Sequence, residues 1–251
     1  MILDGVPASS LAGVDAGVLR RPSLGGLEVE SVSAPGTRGR VVADSTQASV
    51  SWLFEVDVEG STPQQIEQRV QAFTAWVDPR RGTRTLTLFA GDQWSWPEAV
   101  VVGGFEWTDY GSFWRAEVTV ETNPDAVPAV DETWSRTGAG SVSVRRVKGG
   151  APSYPTIEIK GTLSASQTVT VTVGSFSTVV TGPLTSSQTL RLDYDQFEFA
   201  RWTGTAKTAS LIPKMSNLDR LELWPDTAYT VAVATTGTVS SVTVKANSRN
   251  V

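Results

Sequence analysis

Apolar and polar residues alternate at period two along most of this chain. Val50, Trp52, Phe54, Val56 and Val58 take one set of positions, and Ser51, Glu55, Asp57 and Glu59 take the other. That spacing sends successive side chains to opposite faces of a strand. Trp114, Ala116, Val118 and Val120 repeat it against Arg115, Glu117, Thr119 and Glu121, and Leu86 and Leu88 do so briefly between threonines. The stretch from Val50 to Glu121 therefore reads as antiparallel sheet with one solvated face.

One segment breaks the period. Thr62, Pro63 and Gln65 supply an N-cap hydroxyl, a proline at the first helical position and a glutamine placed to close a capping box. Ile66, Val70, Phe73 and Val77 follow at steps of four, three and four, an apolar stripe along one side of a helix. Asp78-Pro79 ends it, because the residue before proline avoids the helical region. Trp76 flanks the stripe.

From Asn123-Pro124-Asp125 to Gly149-Gly150-Ala151-Pro152 the chain is rich in Pro, Gly and small polar residues, with one strand-like piece at Val142 and Val144. The domain boundary is expected there, giving domains 1–135 and 136–251. Beyond it Ile157, Ile159 and Leu163 alternate, then Val169, Val171 and Val173, Leu190 and Leu192, Leu221 and Leu223, Tyr229, Val231 and Val233, and finally Val242 and Val244. Short runs between turn residues, with threonine on the exposed faces, predict an all-β sandwich. Before residue 45, Val18 to Arg21 and Leu27 to Glu30 look like short strands, and Pro35 to Arg40 like a loop reaching out from them.

Composition narrows the chemistry. The 251 residues include no cysteine and no histidine, which removes disulfides, Cys/His zinc sites, a thiol nucleophile and any triad with an imidazole base. A net charge of −5 leaves no basic footprint for sequence-specific nucleic-acid binding. Neither a signal peptide nor an apolar run of membrane-spanning length appears, so the chain reads as soluble and made without export. There is no Gly-Lys for a phosphate loop, and Gly103-Gly104 and Gly138-Ala139-Gly140 lack the context of a dinucleotide site and read as turn glycines.

Carboxylate pairs remain, since a glycosidase needs two acids and neither missing residue. Asp193 and Asp195 would share a face of a strand, Glu117 and Glu121 lie on a polar face, and Asp92 and Glu98 flank Trp94-Ser95-Trp96. All read as surface or turn carboxylates. No catalytic, cofactor-binding or metal-ligating residue is expected. Of the nine tryptophans, Trp52 and Trp114 follow the aliphatic face and read as core, whereas Trp94, Trp96, Trp107 and Trp134 lack an alternating partner and are candidates for subunit or ligand contacts.

The order of parts carries a resemblance. Leu3-Asp4-Gly5, the Pro35-Gly36 and Arg38-Gly39 loop, the strand of Val50 to Val58, the capped helix ending in Phe73-Thr74-Ala75-Trp76-Val77, Trp96-Pro97-Glu98-Ala99-Val100 and, near the end of the sandwich, Leu223-Trp224-Pro225-Asp226 follow one another. This resembles the distal tail proteins of long-tailed, non-contractile phages. The resemblance implies a tail-tube-like N-terminal β-barrel or sandwich with one helix that closes six copies into a ring, and a galectin-like C-terminal sandwich. It implies a structural protein of the virion tail tip, not an enzyme, with the tail tube, the tape-measure protein, the tip hub and receptor-binding proteins as partners. Arg38 and Gly39 would then belong to the ring contacts, and an acidic ring would let DNA pass without sticking. Asp226 stands where the related pattern has glycine. The alternative is a carbohydrate-binding module, with or without a carboxylate-based glycosidase.

Overall fold

The computed structural model of the chain describes residues 1–22, 27–32 and 41–250. The expected loop at Arg38 and Gly39 lies outside the described residues. The chain divides into two compact units, Met1–Ala129 and Val130–Asn250. An expected boundary at 135/136 would cut a strand, Thr133–Thr137, that pairs along its whole length with the last strand of the second unit.

The first unit opens with β1 (Ile2–Leu3) and β2 (Val6–Pro7), joined by Asp4-Gly5. Both turn residues have positive φ, 51° and 78°, the left-handed pair that a two-residue hairpin requires and that Asp-Gly tolerates. There follow β3 (Val14–Arg20), β4 (Leu27–Val32), β5 (Val41–Gln47) and β6 (Val50–Glu59), then α1 (Pro63–Trp76). The unit ends with β7 (Arg84–Thr87), β8 (Trp94–Val102), β9 (Thr108–Asp109), β10 (Phe113–Thr122) and β11 (Val127–Pro128). Strands β2-β1-β7-β8-β10-β6-β3 form one antiparallel sheet, with β9 added to β10 and β11 to β8, while β4 and β5 pair as a ribbon. The long β6–β10 ladder sets Trp52 opposite Val120 and Val56 opposite Ala116, so the alternation read from the sequence is one continuous buried face. The ends of the sheet approach each other where the Met1 nitrogen donates to the Ala16 carbonyl at 3.2 Å.

Helix α1 starts as its cap predicts: Thr62 Oγ1 accepts from the Gln65 amide at 3.2 Å. The glutamine reaches back one residue further than a capping box, accepting from the Ser61 amide at 2.7 Å. Ile66, Val70, Phe73 and Trp76 are buried. Trp76 thus completes the stripe, and Val77, buried too, is the C-cap.

The second unit contains β12 (Thr133–Thr137), β13 (Gly140–Arg145), β14 (Thr156–Thr162), β15 (Thr168–Val173), β16 (Phe176–Thr181), β17 (Gln188–Asp193), β18 (Glu198–Thr203), β19 (Ala206–Ser210), β20 (Ala228–Thr235) and β21 (Thr238–Lys245). Two sheets, β12-β21-β14-β17-β18-β19 and β13-β20-β15-β16, enclose a core of Val, Ile and Leu. The fold class is therefore mainly β throughout, with one helix among the described residues. Val142 and Val144, the strand-like piece within the expected boundary stretch, belong to β13. Leu221 and Leu223 are core residues without a strand: Leu223 exchanges backbone bonds with Ser153 alone, at 2.8 and 3.0 Å. Hairpin β18–β19 was not legible, because β19 is a largely exposed edge with no apolar alternation. At the bulge of β14, a side-chain carbon on Gly161 would fall 2.1 Å from the Thr238 carbonyl oxygen, so that position admits only glycine. Asp226 has a φ of 57°, the left-handed conformation that a glycine there would adopt.

Candidate functional site

The tryptophans fall into two classes. Trp52 is buried, donates to Thr122 Oγ1 at 3.1 Å and meets Trp96 edge-on with ring centres 4.6 Å apart. Trp107 meets Phe73 edge-on at 5.9 Å, beside Phe105. Trp96, Trp107 and Trp114 are partly buried against the first core, and Trp134 against the second. Trp94 is half-buried opposite Pro128, its amide donating to Asp92 Oδ1 at 3.1 Å. Trp94 and Trp96 share β8. The structure groups Trp96 with Trp52 and Trp107 with Phe73, while Trp134 lies in the other unit. Trp224, 52% exposed, is the tryptophan that stands most freely in water among the described residues.

Of the carboxylate candidates, Asp92, Glu98, Asp193 and Asp195 are engaged in structural bonds, while Glu117 and Glu121 stand on the solvated face of β10. Asp193, expected at the surface, is buried at the end of β17, where Oδ1 accepts from the amides of Asp195 and Gln196 at 3.2 and 3.0 Å and Oδ2 accepts from Arg191 at 2.9 Å. Asp195 sits in the following turn, where both of its oxygens accept from Arg249 at 2.7 Å and Oδ2 also accepts from Gln196 at 3.1 Å. Each acid has its own arginine, so the two do not share a proton or face a common ligand. Glu98 accepts from Asn123 at 2.6 Å, and Asp92 closes the turn before β8. On the solvated face of the first sheet, Arg115 bridges Asp57 at 2.7 Å and Glu55 at 3.0 Å, beneath the stacked rings of Tyr110 and Phe113. That carboxylate pairing raises the Arg115 pKa further. Among the described residues no group of three or more metal-ligating side chains occurs, and no helix is long and apolar enough to cross a membrane.

Two features are left that can act on a partner. The first is the edge strand β3: it pairs as a strand with β6 alone among the described residues, the Ala16 carbonyl and amide being taken by the Met1 nitrogen and the Asp15 side chain, and beyond them Leu19 is 49% exposed at a bulge between Val18 and Arg20. Such an edge is a template for a neighbouring strand. The second is a groove of about 440 Å3 on the outer face of the six-stranded sheet, lined among others by Glu158, Lys160, Gln188, Arg191, Trp202 and Thr205. Sequence reasoning missed it because Trp202 stands on unrecognised β18. The polar alternation of Glu158, Lys160, Thr189 and Arg191 was nevertheless available as a signal.

The chain has the fold of SPP1 Dit. That structure, of SPP1 Dit (gp 19.1), is described as a paradigm of hub adsorption apparatus in Gram-positive infecting phages; it aligns with a TM-score of 0.71 over 99% of this chain and 97% of its own, at 16% identity. The phage P2 baseplate in its activated conformation with Ca aligns over 94% of this chain and 91% of that one at a TM-score of 0.40 and 10% identity, which is too low to carry weight. No protein-family model and no curated protein matches the sequence. That alignment spans both units of this chain.

Proposed function

We propose that the chain is a distal tail protein of a long-tailed phage: a structural subunit of the virion tail tip, six copies of which close into a ring. In this reading the ring joins the tail tube and tape-measure protein to the tip hub and receptor-binding proteins. The observation that carries it is the alignment of 99% of the chain with the SPP1 Dit fold, both units included. The end of edge strand β3 around the exposed Leu19 fits a head-to-tail contact, in which each copy offers one surface and receives another until the rotation closes.

Mass photometry and negative-stain microscopy of the full chain, alone and with the tail-tube and hub proteins of the same phage, test the reading. Rings of six are expected, and Leu19→Lys is expected to prevent them while leaving the circular dichroism spectrum unchanged. A chain that stays monomeric at high concentration in the presence of those partners overturns the assignment.

A further inference from the structure

We infer that the groove over β14, β17 and β18 is a binding subsite for a saccharide carrying an anionic substituent. The inference is independent of ring assembly and rests on the second unit alone.

The groove is built on strands rather than loops. Cross-strand register sets Arg191 opposite Glu158, and sets Thr189 opposite both Lys160 and Trp202. Side chains held on paired strands keep their spacing, as a subsite demands. At about 440 Å3 it falls in the range of roughly 300–1,000 Å3 typical of small-ligand sites.

Its lining combines three chemistries. Trp202 supplies an aromatic wall, fixed by the Arg191 guanidinium 5.5 Å from the ring centre; Asp193 in turn holds that guanidinium at 2.9 Å. An indole beside polar groups suits a ring that is apolar on its face and polar at its rim. Ser186, Ser187, Gln188, Thr189 and Thr205 supply hydroxyl and amide groups. These both donate and accept, which matches sugar hydroxyls and does not match a purely apolar side chain.

Charge selects among sugars. Glu158 is paired with Lys245 at 2.9 Å, and Arg191 with Asp193. Lys160 is exposed and has no partner among the described residues. After internal pairing one cation therefore remains in the groove of a chain whose net charge is −5. A carboxylate or phosphate on the sugar would meet that ammonium, while the hydroxyls and the indole hold the ring.

Titration calorimetry and indole-proton NMR of the full chain test this with three probes: digalacturonate, neutral digalactose and inorganic phosphate. Digalacturonate is expected to bind and to move the Trp202 indole signal, digalactose to bind more weakly, and phosphate alone not to move that signal. Lys160→Gln is expected to weaken digalacturonate by on the order of tenfold and to leave digalactose unchanged. Trp202→Phe is expected to weaken both sugars, and Trp224→Ala neither. Failure of both sugars to bind at millimolar concentration, equal binding of the neutral sugar, or an indole response to phosphate alone overturns the inference.

Discussion

In the first unit a single curved sheet is covered by α1 and a cluster of aromatic rings, whereas in the second two sheets cover each other with aliphatic side chains. Trp52, Phe54, Phe73 and Trp76 are buried in the former, with Trp96, Phe105 and Trp107 packed against them. The latter core is mostly Val, Ile and Leu, joined by Tyr194 and Phe199. The difference follows from geometry. Two stacked sheets keep a nearly constant separation of roughly 10 Å, which alternating aliphatic side chains fill from both sides. A lone helix on a twisted sheet leaves a gap that widens toward the helix ends, and rings fill it around Phe73, with centres 5.8 Å from Trp76 and 6.2 Å from Phe105.

The units also treat buried polarity differently. Thr122 is the one buried polar residue of the first among the described residues, while the second buries Arg146, Asp193, Ser153, Thr156, Thr178 and Ser248. These gather largely where the chain enters and leaves the sandwich. Asp131 accepts from the amides of Asn247 and Ser248 at 2.6 and 3.1 Å, and Glu132 from those of Val147 and Lys148 at 3.1 and 3.0 Å. Arg146 donates to the carbonyls of Lys148, at 3.2 Å, and Ala151. Burial lowers the Arg146 pKa, and the carboxylates of Glu132 and Asp131 oppose that shift. The second unit is thus latched by side-chain bonds to backbone, and the first by ring packing.

The sharpest test of that contrast is Phe73→Ala, which leaves a cavity among three rings and is expected to cost about 3–5 kcal/mol. In scanning calorimetry it should lower the melting of the first unit and spare the second; a parallel fall of both transitions would break the comparison. Arg146→Ala should do the converse, at about 2–3 kcal/mol, because two carbonyls lose a buried donor. Arg146→Met, which keeps the volume, should recover the packing part of that loss only. Thr62→Ala removes the cap of α1 and is expected to cost about 1 kcal/mol, read as a shift in the urea midpoint of the first unit.

The smallest effect is acidic. Hydrogen bonds from the Arg80 side chain and amide hold the Asp78 carboxyl at about 2, and the Thr85 amide, together with Arg84, lowers that of Asp4. Because folding lowers both values, their contribution is complete above the ordinary carboxylate range and is lost as pH falls through it toward 2. The first unit should therefore soften between pH 4 and 2, and Asp4→Asn should flatten part of that slope in acid titrations followed by circular dichroism.

Much of this was legible from pattern. Val50 to Val58 and Trp114 to Val120 alternate because one sheet face is buried, and Thr62-Pro63 marks a helix start whatever the helix packs on. The Asp226 turn was left open by the sequence, with an aspartate where the related pattern has glycine, and the structure gives it the left-handed conformation, its amide donating to the Arg146 carbonyl at 2.8 Å. Trp76 and Leu223 were misplaced by one class each, since period alone cannot tell a flank from a stripe end or a strand from an irregular core segment.

The sequence by itself determined the strand-rich class, the place of the helix and the exclusion of thiol and imidazole chemistry, because periodicity, capping and residue inventory are local properties. Only the tertiary structure decided which acids are paired with which arginines, where the chain passes from one unit to the next, and that Lys160, Arg191 and Trp202 line one groove. Those are matters of register between strands far apart in the chain. A shift of one residue in the β14–β17 ladder would send Arg191 to the core face and Leu192 to water.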